Sequence, residues 1–314
     1  MRALVTGGTG FVGRRLMGHL GDTLLVSRRP YEACKTFPTS TVLRGDSPEK
    51  IAGVLESGPC EAVFHLAGEP VAHGRWTAEK KRRIRGSRVE GTRRIVDAIG
   101  LAKARPSVLV SSSAVGYYGS QGERILSEES SGGVGFLADV CREWEEEARR
   151  AESFGVRVVY LLIALVLRTG GGALGAMLTP FKLGLGGPLG PGNQWTPWIH
   201  IDDLVGSALF AARRRELRGP VNAVAPTRVR NRDLASALGR ALHRPAILPA
   251  PAIALRAMLG DFADVLLASQ RIVPVTALAA GYEFRHRDID SAFRDIFSRE
   301  NAARNPATAQ EMLR

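Results

Sequence analysis

The sequence predicts an α/β fold, with a doubly wound parallel sheet followed by a smaller C-terminal α/β lobe. Short apolar runs rich in β-branched residues alternate with amphipathic stretches in the first half of the chain, which is typical of strand–helix–strand units. A glycine-rich turn joins the first apolar run to the first helical pattern. The alternation stops after Leu167, and 314 residues are enough for one large domain and a lobe.

Six strands are predicted up to Leu167, with helical patterns between several of them. The predicted strands are Ala3–Val5, Leu24–Val26, Val42–Leu43, Ala62–His65, Ser107–Val110 and Val156–Leu162. The helical patterns between them are Phe11–Leu20, Ala78–Ile99 and Val134–Glu152. The apolar stretch from Val158 to Leu167 is too short for a membrane span and suits a strand buried on both faces.

The second half has a different pattern. Thr169–Gly192 is rich in glycine and proline and is predicted to form loops and turns. Helical patterns resume at Asp202–Arg215, Asn231–Leu242, Ala252–Leu259 and Asp288–Phe297. We therefore predict a sheet domain over residues 1–167 plus about 198–228, a substrate lobe over about 168–197 plus 229–300, and a loosely held tail over 301–314.

The turn from Thr6 to Gly13 follows the first strand and opens the first helix. Gly7, Gly10 and Gly13 permit the sharp turn, let backbone N–H groups approach a diphosphate, and let the helix pack closely on the strand. The N-terminus of a helix adds partial positive charge that favours phosphate. In this context the spacing predicts a Rossmann-type domain that binds a dinucleotide.

The end of the second strand indicates which dinucleotide is bound. It reads Ser27-Arg28-Arg29, where an NAD site usually places an acid that accepts hydrogen bonds from the ribose 2′-hydroxyl. A hydroxyl and two guanidinium groups suit a 2′-phosphate instead. The alternative, two solvated arginines, leaves the missing acid unexplained. We therefore predict NADP(H) as the cofactor.

At this point the chain resembles the extended short-chain dehydrogenase/reductase superfamily. Within it, the chain is similar to an atypical "epimerase family" group, often labelled nucleoside-diphosphate-sugar epimerase. The resemblance rests on Val5–Gly13, His65–Pro70, Ser87–Thr92, Ser111–Gly119, Phe181–Gly187, Trp198–Asp203 and Val221–Pro226. The segment from about Arg244 onward also resembles a C-terminal domain of unknown function found in this group.

The resemblance implies a core that binds NADP(H), with a C-terminal lobe closing over a substrate cleft. The residues implied at the diphosphate are Thr6, Gly7, Gly10, Phe11, Val12 and Gly13. Those implied at the 2′-phosphate are Ser27 and Arg28, with Arg29 beside them. Those implied elsewhere along the cofactor are Leu66, Ala67, Gly68, Arg88, Ser112 and Cys141.

The chain departs from the superfamily where its chemistry should be. Active members use a tyrosine as general acid/base and a lysine one helical turn later, which share one helix face. By alignment on Glu145, the tyrosine position is Leu137 and the lysine position is Cys141, while Arg88 takes the place of an asparagine. A leucine moves no proton, and an ionised thiol would raise the pKa of a nearby phenol.

The serine of the superfamily survives as Ser113 or its neighbour Ser112. Other groups that could move a proton are Tyr117, Tyr118, Glu69 and His200. Both tyrosines directly follow the serine strand and are expected near the nicotinamide, and Tyr117 is the first candidate for mutation. Asp202 and Asp203, after His200, are more simply interpreted as helix caps.

Composition limits the remaining classes of function. The net charge is +12, but the basic residues are scattered and aromatic residues make up only 6%, so we expect no nucleic-acid partner. Three irregularly spaced cysteines predict neither disulfides nor a zinc site. We expect no metal, no membrane span and a cytoplasmic location, and a homodimer on the general frequency of two-fold assemblies.

Two functions remain open. One is an NADP-dependent oxidoreductase or epimerase that acts on a small or nucleotide-linked carbonyl or alcohol, with Ser113 and Tyr117 as catalytic residues. The other is an NADP(H)-dependent sensor or scaffold that has lost its chemistry, because three of four catalytic positions are replaced. The sequence does not identify the substrate.

Overall fold

The computed structural model describes residues 1–72 and 74–304. The strands are β1 (Ala3–Thr6), β2 (Thr23–Ser27), β3 (Thr41–Arg44), β4 (Ala62–His65), β5 (Val108–Ala114), β6 (Ile125–Leu126), β7 (Arg157–Ile163), β8 (Leu165–Leu167), β9 (Trp198–His200), β10 (Gly219–Ala223) and β11 (Arg271–Ile272). The helices are α1 (Phe11–Met17), α2 (Pro30–Thr36), α3 (Pro48–Leu55), α4 (Ala78–Leu101), α5 (Phe136–Arg149), α6 (Gly172–Lys182), α7 (Ile201–Arg213), α8 (Asn231–Leu242), α9 (Ala252–Leu259), α10 (Phe262–Leu267), α11 (Val275–Ala279) and α12 (Ile289–Arg304).

The central sheet has seven strands in the order β10-β7-β5-β4-β1-β2-β3, and every pairing is parallel. The chain runs outward from β1 through β2 to β3 and then returns to β4 on the other side of β1. Thr6, the last residue of β1, is in register with Val26 on one side and His65 on the other. Ligands bind at the strand carboxyl ends where the order reverses in this way, so the fold places the expected site beside Thr6.

Both faces of the sheet are buried. Leu4, Val63 and Leu109 belong to one apolar cluster, whereas Val5 and Phe64 belong to the cluster on the opposite face. Alternate residues of a strand point to opposite faces, so continuous apolar strands are what a sheet covered by helices on both sides requires. This confirms the predicted Rossmann-type doubly wound sheet.

The second half of the chain adds a third apolar cluster, between α6, α8 and α12. Its buried members include Leu178, Phe181, Leu234, Leu238 and Phe293. Two small parallel pairs, β8 with β9 and β6 with β11, tie this part to the main sheet region. The division into a sheet domain and a lobe at the stated boundaries stays a prediction.

Thr169–Gly192 is not all loop, contrary to the prediction. Helix α6 occupies Gly172–Lys182, with Pro180 inside it. Leu174, Leu178 and Phe181 are buried at positions i, i+4 and i+7, a helical period that the flanking glycines conceal.

Short elements and ends also differ from the prediction. Helices α10 and α11 and strands β8 and β9 have too few residues for a periodic signal. Helix α12 continues to Arg304 and so includes the first four residues of the predicted tail, whereas residues 305–314 lie outside the described residues. Among the described residues, no helix combines the length and apolar character that crossing a membrane would need.

Candidate cofactor and active site

The glycine turn has the close backbone packing that the sequence predicted. Gly7 has φ +72°, and a Cβ there would lie 2.8 Å from the backbone of Leu66 and Ala67. A Cβ on Gly13 would collide with the carbonyl oxygen of Gly7, and one on Gly10 would lie 3.0 Å from the same oxygen. The first turn of α1 carries no acidic residue. The turn therefore fits a diphosphate in both space and charge.

A buried hydrogen-bond pair fixes the turn to the end of β4. Thr6 Oγ1 lies 2.8 Å from His65 Nδ1 and accepts from the Ala67 backbone N–H at 3.2 Å. Burial, with a smaller contribution from Arg88, lowers the pKa of His65 to about 4, so the imidazole is neutral at pH 7. This pair sets Leu66 and Ala67 against the turn, where they were predicted to border the cofactor.

The end of β2 holds its three predicted residues in different environments. Ser27 Oγ accepts from the backbone N–H of Arg29 at 3.1 Å, and the Arg29 guanidinium is 3.4 Å from Glu32. Arg28 is exposed, and its positive charge contributes to the low pKa of Glu69. Among the described residues, Arg28 has no carboxylate within 4.0 Å. It is therefore the arginine that is free to meet a 2′-phosphate.

Glu69 follows β4 and is held by a lysine. Lys80 Nζ, almost fully buried, lies 2.7 Å from Glu69 Oε1. This hydrogen bond lowers the pKa of Glu69, and the opposing effect of burial does not cancel it. A carboxylate that stays ionised and paired is a poor general acid at neutral pH.

Arg88 braces the segment after β4. Its Nη1 donates to the carbonyl oxygens of Glu69 at 3.1 Å and Ile84 at 3.2 Å. The guanidinium carbon lies 5.1 Å from the Trp144 ring centroid and packs beside Gly68. Its predicted contact with the cofactor stays a prediction.

The replaced tyrosine and lysine positions lie in apolar surroundings. Leu137 packs with Trp76 and Phe262 in a small cluster between α4, α5 and α10. Cys141 is buried, with Sγ 3.6 Å from the carbonyl oxygen of Ala114. Burial raises the pKa of the Cys141 thiol to about 11, so the side chain is neutral and supplies none of the charge of a lysine.

Ser113 forms a hydrogen bond with Glu145, a residue that was not among the predicted catalytic groups. Ser113, buried near the end of β5 beside Ser112, donates through Oγ to Glu145 Oε1 at 2.5 Å. Burial raises the pKa of Glu145 to about 7, although the hydrogen bond from Ser113 lowers it in part. The sequence did contain one signal for Glu145. It lies four residues after Cys141 and therefore on the same face of the helix as the predicted site position.

The two tyrosines after β5 differ. Tyr118 is fully buried, and its hydroxyl donates to Asn222 Oδ1 at 2.9 Å. The 3-10 turn after β5 directs Tyr118 into the core, so its hydroxyl has a structural partner and is not available to move a proton. Tyr117 is half-buried, with its ring 5.3 Å from that of Tyr118. Its catalytic role stays a prediction.

Asp202 and Asp203 are not the caps of α7. His200 is the N-cap residue, with Nδ1 accepting from the Asp202 backbone N–H at 3.1 Å. Asp202 pairs with Arg15 on α1 and Arg299 on α12, each at 2.7 Å. The two carboxylates therefore join the sheet region to the C-terminal helix, and Asp203 does so by accepting from backbone N–H groups before α12.

One grouping near this junction has potential metal ligands. His200, Asp202, His286 and Asp295 bring ligand atoms within 4.8 Å of one another. The sequence did not indicate this grouping. Because Asp202 and Asp295 are already paired with arginines, their charges are compensated, and the grouping is an ion-pair junction.

The doubly wound sheet, the glycine turn after β1 and the serine at the end of β5 together define a dinucleotide-binding protein of the short-chain dehydrogenase/reductase class. The chain belongs to the NAD dependent epimerase/dehydratase family, whose model matches residues 3–223. Residues 250–296 match a second model, described as a domain of unknown function. Both matches confirm the resemblance predicted from the sequence.

Individual relatives agree with this assignment. The chain is 42% identical over 307 residues to an Arabidopsis thaliana chloroplastic homolog of epimerase family protein SDR39U1, covering 94% of this chain and 86% of the relative. The crystal structure of human SDR39U1 isoform 2 with NADPH superposes with a TM-score of 0.83 at 34% identity, covering 94% and 99% of the two chains. The crystal structure of a nucleoside-diphosphate sugar epimerase from Corynebacterium glutamicum superposes with a TM-score of 0.73 at 30% identity, covering 94% of this chain and 58% of that one. The NADPH in the human protein agrees with the predicted cofactor.

Proposed function

We propose that the protein is an NADP(H)-dependent oxidoreductase or epimerase that acts on a carbonyl or alcohol of a small or nucleotide-linked substrate. The observation that carries the proposal is the Ser113–Glu145 hydrogen bond at the carboxyl end of β5, two strands from the glycine turn. It pairs a hydroxyl with a carboxyl group whose pKa is raised to about 7, which is the range a general acid/base needs.

The cofactor would be held by the residues of the turn and the neighbouring strand ends. Backbone N–H groups from Phe11 to Gly13, in the first turn of α1, would contact the diphosphate, and Arg28 with Ser27 would contact the 2′-phosphate. Leu66 and Ala67, fixed by the Thr6–His65 pair, would border the ribose. The nicotinamide supplies a hydride donor or acceptor when the cofactor is bound.

Hydride transfer to a carbonyl carbon requires one proton at its oxygen. In the observed hydrogen bond Ser113 is the donor, so its hydroxyl hydrogen must first turn from Glu145 towards the carbonyl oxygen. Ser113 then supplies that proton from Oγ and accepts one from the protonated form of Glu145, which ends as the carboxylate. Oxidation of an alcohol runs the same route in reverse. Neither Leu137 nor the neutral Cys141 takes part in this transfer.

A second candidate, an NADP(H)-dependent sensor or scaffold, is favoured by a different observation. Leu137 is partly buried against an apolar cluster that includes Trp76 and Phe262, so the tyrosine position offers no acid. A protein with this site would bind the cofactor and change its affinity for a partner without turnover.

The decisive experiment measures NADPH oxidation across a panel of aldehydes, ketones and nucleotide-linked keto sugars. We expect turnover that falls at least 100-fold in Glu145→Gln and Ser113→Ala. Glu146→Gln, an exposed neighbour paired with Arg149, is the matched control and should keep full activity. Binding of NADPH with no turnover on the whole panel would favour the sensor.

Three finer proposals accompany the function. A nucleotide sugar is a candidate substrate, because the Corynebacterium relative is described as a nucleoside-diphosphate sugar epimerase. A homodimer is proposed on base rate alone, and sedimentation would test it. A cytoplasmic location is proposed from the cysteine pattern, whereas the Arabidopsis relative is described as chloroplastic.

A further inference from the structure

A second glycine-rich loop, residues 168–172, packs against the glycine turn. It connects β8 to α6, and Gly170, Gly171 and Gly172 have φ of +81°, +152° and +63°. A Cβ on Gly171 or Gly172 would lie 3.1–3.2 Å from the ring of Phe11. These positive φ values favour glycine, so the backbone of the loop approaches the first residue of α1 more closely than other residues would allow.

Arg168 begins this loop and contacts the turn directly. Its Nη1 donates to the carbonyl oxygen of Phe11 at 3.3 Å, and its guanidinium carbon lies 5.8 Å from the centroid of the Phe11 ring. Stacking on the ring and one hydrogen bond leave most of its five N–H donors available. The Arg168 side chain is therefore held beside the turn, and most of its N–H groups are available to donate hydrogen bonds to a ligand.

Arg168 differs from its basic neighbours in its charge environment. Arg15 is neutralised by the buried Asp202, and Arg14 donates to the carbonyl oxygen of Thr9 from an exposed position. Arg168 is half-buried, and within the described part of the chain no carboxylate lies within 4.0 Å of it. An arginine in this setting is available to pair with an anion that binds beside the turn.

We propose that Arg168 binds the diphosphate of the dinucleotide, and that loop 168–172 positions the Arg168 side chain over the glycine turn. The cofactor would then be held by three groups: the backbone of the turn at the diphosphate, Arg28 at the 2′-phosphate, and Arg168 at the diphosphate from the side of the C-terminal lobe. The inference rests on the cofactor binding of the proposed function and is independent of its catalysis.

The test separates the two phosphate groups with simple ligands. ADP-ribose carries the diphosphate without a 2′-phosphate, and adenosine 2′-monophosphate carries the 2′-phosphate without a diphosphate. Binding is measured by calorimetry with wild type, Arg168→Gln and Arg28→Gln. The Arg168→Gln variant should bind ADP-ribose and NADPH with an affinity lower by about tenfold or more. Its affinity for adenosine 2′-monophosphate should stay within about twofold, and Arg28→Gln should show the opposite pattern.

Arg240→Gln is the control, since it removes an exposed guanidinium that contacts Ser236 and Asp290 and neither the glycine turn nor loop 168–172. If Arg168→Gln fails to fold, Arg168→Lys keeps the charge and should lose part of the ADP-ribose affinity. Unchanged affinity for ADP-ribose, or an equal loss for both small ligands, would overturn the inference. If the ligands bind with this pattern but no turnover is found, only the proposed enzymatic activity is contradicted. If wild type binds none of the ligands, both the proposed function and the role of Arg168 are overturned.

Discussion

Ser113 on β5 and Glu145 on α5 are joined by a 2.5 Å hydrogen bond, and Glu145 lies one helical turn after Cys141, which occupies the lysine position of the superfamily. The bond crosses the packing between helix and sheet, and the Glu145 carboxyl group has lost most of its contact with water. Ionisation of Glu145 in the folded state therefore carries an unfavourable free energy, which affects both the stability and the activity of the protein.

Glu145→Gln should stabilise the protein at pH 8 and leave it unchanged near pH 4. Burial raises the pKa of Glu145 from 4.5 to about 7 in the folded state. Stability from the neutral form is therefore fully present below pH 4.5 and is lost as the pH rises through about 7. We expect wild type to lose about 1–3 kcal/mol between pH 4.5 and 8 from this group, measured by urea unfolding.

The glutamine variant should lack this part of the pH dependence. Glu146→Gln, one residue along on the exposed face, should change stability by less than about 0.5 kcal/mol at any pH. If Glu145→Gln and wild type lose stability in parallel between pH 4.5 and 8, the carboxyl group titrates normally and the proposed proton route loses its basis.

Arg28→Gln should remove the preference for NADPH over NADH. Arg28 is the exposed guanidinium at the end of β2 without an ion-pair partner among the described residues, while Arg29 is engaged with Glu32. Loss of a charge-assisted contact costs about 1.5–3 kcal/mol, so NADPH affinity should fall roughly 10- to 100-fold by fluorescence titration. Arg232→Gln, which changes an exposed arginine paired with Asp233 on α8, is the control and should retain the preference. Equal affinity of wild type for both cofactors would contradict the assignment.

Gly13→Ala should abolish cofactor binding and lower the melting temperature. The added methyl group would collide with the carbonyl oxygen of Gly7 and the Cα of Gly8, so the turn or the start of α1 must move. Gly53→Ala on α3 is the matched control, because its Cβ meets nothing within 4 Å. In a helix interior that change should stabilise by about 0.5–1 kcal/mol; normal NADPH binding by Gly13→Ala would show that the turn tolerates a side chain.

Much of the fold could be predicted because local patterns and tertiary packing agree. The α8 and α9 boundaries predicted from periodicity are the observed ones, Asn231–Leu242 and Ala252–Leu259. Helix α6 was missed because three glycines and an internal proline conceal its buried face. Short segments such as β8 carry too few residues for a period to show.

The candidate site was predictable where the backbone determines it and much less so where side chains meet across elements. The glycine turn and the absence of an acid after β2 are local features. The pairing of Ser113 with Glu145 spans 32 residues, and the contact of Arg168 with Phe11 spans 157. Such pairs depend on helix rotation and loop path, which composition and spacing do not determine.

Tyr118→Phe should destabilise the protein, whereas Tyr117→Phe should not. The buried hydroxyl of Tyr118 donates to Asn222 Oδ1, and its removal leaves that oxygen without this donor. We expect a loss of about 1–3 kcal/mol in urea unfolding. Tyr117→Phe keeps the ring contact and should change stability by less than about 0.5 kcal/mol, so any loss of turnover in that variant would identify a chemical role for its hydroxyl.

Asp202→Asn should weaken the junction between the sheet region and α12. Burial opposes ionisation of Asp202, but hydrogen bonds from Arg15 and Arg299 outweigh it and lower the pKa from 3.8 to about 2. Stability from this group is therefore present above pH 3.8 and is lost as the pH falls through about 2.

At pH 7 the asparagine variant should lose about 2 kcal/mol, because two arginines keep their charge and lose their carboxylate. The loss should shrink as the pH approaches 2, where wild type also carries a neutral group. Asp233→Asn, at an exposed pair with Arg232, is the control and should stay within about 0.5 kcal/mol of wild type in urea unfolding. An equal effect of both substitutions at pH 7 would mean that the Arg15–Asp202–Arg299 arrangement contributes no more than a surface ion pair.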